Sequence, residues 1–246
     1  MVGAAAPPRS GPAAALPRSG YEDASPAVRA MQDDDASNPA FLWVQQGEAA
    51  WAEAGVPSGR SCQSCHGPAA SMRGVSARYP RFDPARGRPV TLAQQVEVCR
   101  TERQGMQAAA PEADEPLALE AFVGSQSRGM TMDVDTSGPA APAAAHGEAL
   151  FHTRIGQLNL ACAQCHDGLA GQRLAGATIP QGQPNGYPLY RLEWQSLGSL
   201  RRRIRNCLTG VRAEPYAPDS PDLVDLEFYL ASRARGLPVE TPAVRP

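Results

Sequence analysis

The stretch "CQSCH" at residues 62–66 decides how the rest of the chain reads, because "CAQCH" repeats it at 162–166. C-x-x-C-H is the attachment signature of a c-type haem. Two thiols one helical turn apart reach the two vinyl groups of one porphyrin, and the adjacent histidine falls beneath the iron. A single CxxC would also serve as half of a zinc site or as a thiol redox pair. Two copies, each with its histidine, favour haem over zinc. The motifs therefore assign Cys62, Cys65, His66, Cys162, Cys165 and His166 to two covalently bound haem c groups.

Working outward, the flanks of the two motifs also match. At an offset of 100 residues "GEAAW" from Gly47 falls on "GEALF" from Gly147. At 108, Tyr79-Pro80 falls on Tyr187-Pro188, Leu92 on Leu200, Val96 on Ile204 and Cys99 on Cys207. At 107, "LEAFVGSQSRG" (119–129) falls on "LEFYLASRARG" (226–236). The order is the same in both halves, which reads as a repeated domain with an eight-residue insertion in the second copy. Each copy predicts a first helix (about 39–54 and 145–156), a middle helix (about 90–105 and 194–209) and a last helix (about 115–127 and 221–234). Ser220-Pro221 suits a cap followed by a first turn. First and last helices packed together around haem is the cytochrome c plan. The fold class expected is all-α: two tandem cytochrome c-like domains related by internal duplication, with long loops. The boundaries are a flexible lead-in over 1–25, a first domain over 26–135 and a second, catalytic domain over 136–246, with residues 132–145 as linker.

Composition agrees with such a plan. The 246 residues carry 23 glycines, 24 prolines and only 6% aromatics, so loops are long and a prosthetic group has room to complete a thin core. A net charge of −2 excludes a general nucleic-acid binder. The chain contains no lysine, so only local clusters of arginine are informative. No run of 18 apolar residues occurs, and no membrane span is expected. Prolines interrupt the apolar runs of the first twenty residues, which read as a flexible lead-in rather than a secretion signal; a targeting segment was either removed or never present, and the cysteine chemistry favours removal.

Two cysteines, Cys99 and Cys207, stand outside the motifs at matching places. The methionines are at 1, 31, 72, 106, 130 and 132, so the second copy has none to offer its iron. His146 and His152 leave a bis-histidine arrangement open, and a Cys99–Cys207 disulfide is a further reading. The duplicated position favours Cys99 and Cys207 as thiolate ligands, each to its own iron. Such ligation lowers the reduction potential relative to methionine.

The two middle helices differ in charge. "LAQQVEVC" (92–99) is neutral to acidic, whereas "LRRRIRNC" (200–207) is cationic with the same apolar positions. Arg203 lies four residues before Cys207 and shares its helix face, while Arg201, Arg202 and Arg205 are expected to point to solvent or a partner. Arginine favours the thiolate form of a nearby cysteine and grips oxyanions with a planar fork. The second copy thus reads as an enzyme site for a small sulfur or oxygen anion, and the first as an electron carrier. A pure electron-transfer protein and a dihaem peroxidase are the rival classes.

These residues resemble the SoxA family, the catalytic dihaem subunits of SoxAX cytochromes in bacterial thiosulfate oxidation. The densest likeness lies in "QDDDASNPAFLWV", "GQLNLACAQCHDG", "YPLYRLEWQSLGSLRRRIRNCLTGVRAEPY" and "LPVETPAVRP". The resemblance implies a periplasmic L-cysteine S-thiosulfotransferase that pairs with a monohaem subunit, SoxX. Its substrates would be thiosulfate and a cysteine thiol of the sulfur carrier SoxYZ, with two electrons passing to a c-type cytochrome. It also implies Cys207 as the active-site haem ligand, often a persulfide, Arg203 as an anion holder, and His66, Cys99 and His166 as the other iron ligands.

Overall fold

The computed structural model describes residues 16–55, 58–174 and 176–246. The chain opens with helix α1 (Pro26–Asp33), whose first turn is capped by the Ser25 hydroxyl. A first lobe follows: α2 (Phe41–Ala52), α3 (Cys62–His66), the hairpin β1 (Arg81–Asp83) and β2 (Arg88–Val90), α4 (Leu92–Val98) and α5 (Asp114–Ser125). The second lobe keeps that order with α6 (Ala141–His152), α7 (Cys162–His166), a small hairpin β3 (Arg173–Leu174) and β4 (Ala177–Thr178), the hairpin β5 (Leu189–Arg191) and β6 (Ser196–Gly198), α8 (Leu200–Gly210) and α9 (Pro221–Arg233). The last strand, β7 (Ala243–Arg245), joins β5 in parallel register and receives α1 on its face through Val28 and Val244.

In both lobes the first and last helices form the core, and a glycine lets them touch. A Cβ on Gly47 would run into the Ala118 carbonyl and lie 2.7 Å from Phe122 Cβ. A Cβ on Gly147 would run into the Asp225 carbonyl and lie 2.8 Å from Tyr229 Cβ. Just beyond each glycine an aromatic pair closes the contact: Trp51 with Phe122 at 5.8 Å and Phe151 with Tyr229 at 5.5 Å between ring centroids. The middle helices start alike, with Thr91 Oγ1 accepting from Gln94 N–H and Ser199 Oγ from Arg202 N–H.

The lobes are joined by exchange. The β5–β6 hairpin sends Leu197 and Tyr190 into the core of α2 and α5, where Tyr190 meets Trp43 at 6.0 Å. The β1–β2 hairpin in turn packs Phe82 against a cluster that includes Phe228 and Ala231 of the second lobe. After the last helices, Gly129–Met132 runs antiparallel to Gly236–Val239. Its bonds come in swapped pairs: Gly129 N–H to the Val239 carbonyl (2.8 Å) mirrors Gly236 N–H to Met132 (3.0 Å). Equivalent residues exchanging equivalent bonds is the pattern of a two-fold interface.

Several expectations need correction. The protein is mostly helical but not all-α, since seven short strands form three small sheets among the described residues. The middle helix of the second lobe starts at Leu200 rather than near 194, because Ser196–Gly198 pairs with β5 and Ser199 is the cap. The proposed linker is packed: Met132 and Val134 are buried, and helical turns resume at Gly138. Of the lead-in, residues 1–15 lie outside the described residues. Its remainder is not loose, because the Arg18 amide donates to Gln181 at 2.7 Å and Asn185 Nδ2 donates to the buried Ser19 hydroxyl at 3.3 Å.

Arg201 also departs from expectation. It turns inward rather than to solvent, donating from Nε to Glu227 Oε1 at 3.0 Å and from a terminal nitrogen to Thr91 Oγ1 at 2.8 Å. It thereby ties α8 to α9 and to the cap of α4. Replacing Arg201 by methionine strands the buried Glu227 carboxylate and is expected to cost about 2 kcal/mol, discounted for the partly exposed guanidinium. Urea denaturation would read this as a lower midpoint.

Candidate active site

The two CxxCH turns are stub helices set by local caps. In α3 the Ser61 hydroxyl accepts from Ser64 N–H at 2.9 Å while Ser64 Oγ accepts from Ser61 N–H at 3.0 Å. In α7 Gln164 Oε1 accepts from Ala161 N–H at 2.8 Å.

His166 is the better defined of the two histidines. Its Nδ1 pairs with the Pro180 carbonyl at 2.8 Å, and the close approach of Gly182, at φ +76°, leaves no room for a side chain there. Donation from Nδ1 leaves Nε2 as the free lone pair, the arrangement a metal-binding imidazole needs. Burial holds His166 below its ordinary value, opposed by the bond to the Pro180 carbonyl and aided by the nearby Arg203 and Arg233 charges. In the first lobe His66 packs against Trp51 with ring centroids 5.7 Å apart.

All six cysteines are free, so no bridge links Cys99 to Cys207. Each half-buried lone cysteine instead neighbours the first thiol of its own motif. Burial, followed by the proximity of Cys207, pushes the Cys162 thiol up to about 11, and Cys62 is raised by burial and then by Cys99. Among the described residues no three His, Cys, Asp or Glu side chains gather as a metal site by themselves. The donor chemistry of each motif, two thiols and an imidazole, fits covalently attached haem c.

The surroundings of the lone cysteines differ. At the α4 end the chain widens into a π-helical turn, Cys99–Arg103, and Gln95 Nε2 donates to Cys99 Sγ at 3.5 Å. The position equivalent to Gln95 in α8 is Arg203, whose guanidinium has no ion pair or hydrogen-bond partner among the described residues. Its charge is felt by His166, Tyr187 and Arg191. Arg191 adds a second cation, with Nε buried and unbonded and its outer edge paired to the exposed Glu193 at 3.3 Å. Arg233 adds a third, lying over Phe151 at 4.4 Å and bonded to Asp167 at 2.6 Å. Arg202 stacks on Trp194 at 4.2 Å rather than facing solvent, and Arg205 is exposed as expected.

Of the residues chosen from sequence, Cys207, Arg203, His166 and Cys162 share one neighbourhood, and Cys99 and Cys62 share the other. Tyr187, Arg191 and Arg233 were missed. The comparison of halves that picked out Arg203 opposite Gln95 would also have found Arg191 opposite Asp83 and Arg233 opposite Gln126.

Comparison with known proteins follows this division of the chain. The SoxA/TsdA cytochrome c domain matches twice, over residues 46–132 and 146–239. The L-cysteine S-thiosulfotransferase subunit SoxA of Paracoccus pantotrophus is 37% identical over 227 residues, covering 92% of this chain and 78% of that protein. The SoxA subunit of Rhodovulum sulfidophilum is 37% identical over 233 residues, covering 93% of this chain and 80% of its own. The crystal structure of SoxXA from P. pantotrophus superimposes with a TM-score of 0.90 over 94% of this chain and 87% of that one, at 37% identity. With both halves matched and nearly the whole length aligned, the chain belongs to the SoxA/TsdA cytochrome c domain family, whose members bind haem c covalently.

Proposed function

We propose that the chain is the catalytic subunit of an L-cysteine S-thiosulfotransferase, which couples thiosulfate oxidatively to a cysteine thiol of the carrier SoxYZ. The observation that carries this reading is the free Cys207 one turn after Arg203, whose guanidinium has no partner among the described residues. Two SoxA relatives bear the name of this activity. Thiosulfate is a dianion and the carrier sulfur reacts as thiolate, so their approach is repulsive. Arg203, with Arg191 behind it, supplies the positive charge that lowers this barrier. Cys207 marks the meeting point, and holding both reactants there replaces a bimolecular encounter by a local one.

The reaction forms one S–S bond between the carrier sulfur and thiosulfate. The carrier thiol loses its proton to solvent, and two electrons leave for a c-type cytochrome. Haem c, when bound, supplies one-electron acceptance. Cys162, Cys165, His166 and Cys207 would hold the catalytic haem, and Cys62, Cys65, His66 and Cys99 the other. We read the halves, 26–135 and 136–246, as a tandem duplication, a reading supported by the swapped bonds of their interface. The SoxXA complex as structural relative supports a monohaem SoxX partner. A periplasmic location accords with covalent haem. No helix among the described residues is long and apolar enough to cross a membrane.

Arg203→Gln gives α8 the neutral donor that α4 already has at this place. It is expected to lower thiosulfate-dependent loading of a carrier cysteine by about 10²-fold while leaving haem content unchanged. Mass spectrometry of the carrier measures the product. Unaltered loading would return the protein to plain electron transfer.

A further inference from the structure

The residue after each CxxCH histidine is tied down by a different donor in the two lobes. In the first, the indole N–H of Trp51 on α2 donates to the Gly67 carbonyl at 3.3 Å, directly after His66, whose ring lies 5.7 Å from the indole. At the offset of 100 residues Trp51 becomes Phe151 and Gly67 becomes Asp167. Phenylalanine has no N–H to give, so the second lobe cannot make that bond.

Arg233, at the end of α9, fills the gap. Its counterpart at the offset of 107 is Gln126, whose amide nitrogen donates to the Phe122 carbonyl and the Ser125 hydroxyl of the adjoining helix α5. Arg233 instead lays its guanidinium over the buried Phe151 ring, 4.4 Å from the centroid. From there one terminal nitrogen donates to Asp167 Oδ1 at 2.6 Å and to the Gln181 carbonyl at 3.2 Å. Asp167 follows His166 and Gln181 follows Pro180, the two partners of the 2.8 Å bond between His166 Nδ1 and the Pro180 carbonyl. Gly182, next along, approaches the same ring so closely that a Cβ there would lie 3.1 Å from Nδ1. A single cation thus closes a loop of contacts that runs from His166 through Asp167, Arg233, Gln181 and Pro180 back to the imidazole.

We propose that Arg233 is a positioning residue for the histidine of the second lobe. It holds residues 180–182 against the turn at 166–167 and so fixes the rotation of the His166 ring, the task that the Trp51 indole has beside His66. A steady bond at Nδ1 keeps Nε2 in one direction and raises its basicity as an iron ligand, which favours the ferric form. The inference rests on the reading of His166 as a haem ligand and not on the thiosulfate chemistry.

The test takes the haem-loaded full chain and reads the low-spin EPR signal and the reduction potential of each haem. Arg233→Gln installs the residue of the first lobe. Asp167→Ala removes one acceptor from an exposed position and leaves the core alone. Each variant should shift and broaden one haem signal and leave the other unmoved. Each should also raise the potential of the affected haem, by about tenfold in its reduction equilibrium, or about 59 mV for one electron. The common direction separates positioning from plain charge. Asp167→Ala deletes an anion and Arg233→Gln deletes a cation, so a through-space effect moves the two potentials oppositely. Adding Phe151→Trp to Arg233→Gln supplies an indole N–H at the same net charge and should narrow the signal again. Opposite shifts, or two unmoved signals in both variants, would overturn the role of Arg233. A wild-type chain carrying a single haem by pyridine haemochrome assay would overturn the ligand reading beneath it.

Discussion

Cys207→Ala is expected to abolish loading of thiosulfate onto a carrier cysteine, by about 10³-fold or more, while the fold survives. Survival is expected because the apolar anchors of α8 are Ile204 and Leu208, both buried, whereas Cys207 is half-buried and alanine is a strong helix former. If Cys207 holds the haem of its lobe, as proposed, the visible spectrum should change as well. Cys99→Ala in the same assay is the informative partner. It should alter the other haem's spectrum and leave turnover largely intact, because Cys99 has a glutamine where Cys207 has an arginine. Full activity in Cys207→Ala would remove the chemistry from α8 altogether.

Gly147→Ala should have the largest effect on stability. The added methyl meets the Asp225 carbonyl and Tyr229 Cβ, neither of which can swing aside as the tip of a long side chain could. The helices α6 and α9 must spread, which opens the contact of Phe151 with Tyr229. A cost of at least about 3 kcal/mol follows, or a fall in Tm of about 6–12 °C. Gly210→Ala is the control: at the end of α8 it faces open space with an ordinary backbone, so alanine should be neutral or slightly stabilising there. Differential scanning calorimetry of the three proteins separates steric cost from helix propensity.

The helices and their pairing were legible because they rest on periodicity and on glycines at matching places. Gly47 and Gly147 were visible as part of a repeated "GEA", and their close packing follows from the missing side chain. The hairpins were not legible. β1 and β5 are three residues each, too short for alternation to stand out from a loop. In the candidate site, Cys207 and Arg203 could be paired from helical register alone. Tyr187 and Arg191 could not, since they come to α8 from the short β5 hairpin and its approach, and only the offset between the halves, not helical register, marks Arg191. Arg201 misled for a related reason. Its register placed it away from Cys207 correctly, but nothing local announced that Glu227 and Thr91 wait on that side.

The exchanged hairpins have a further consequence. Each half borrows the piece that finishes its own interior, as two separate subunits would, yet both lie on one polypeptide. Dilution therefore cannot part them, and the local concentration of each for the other is fixed by the intervening segment instead of by cellular supply. What would have been an association equilibrium becomes a constant distance between the two CxxCH turns.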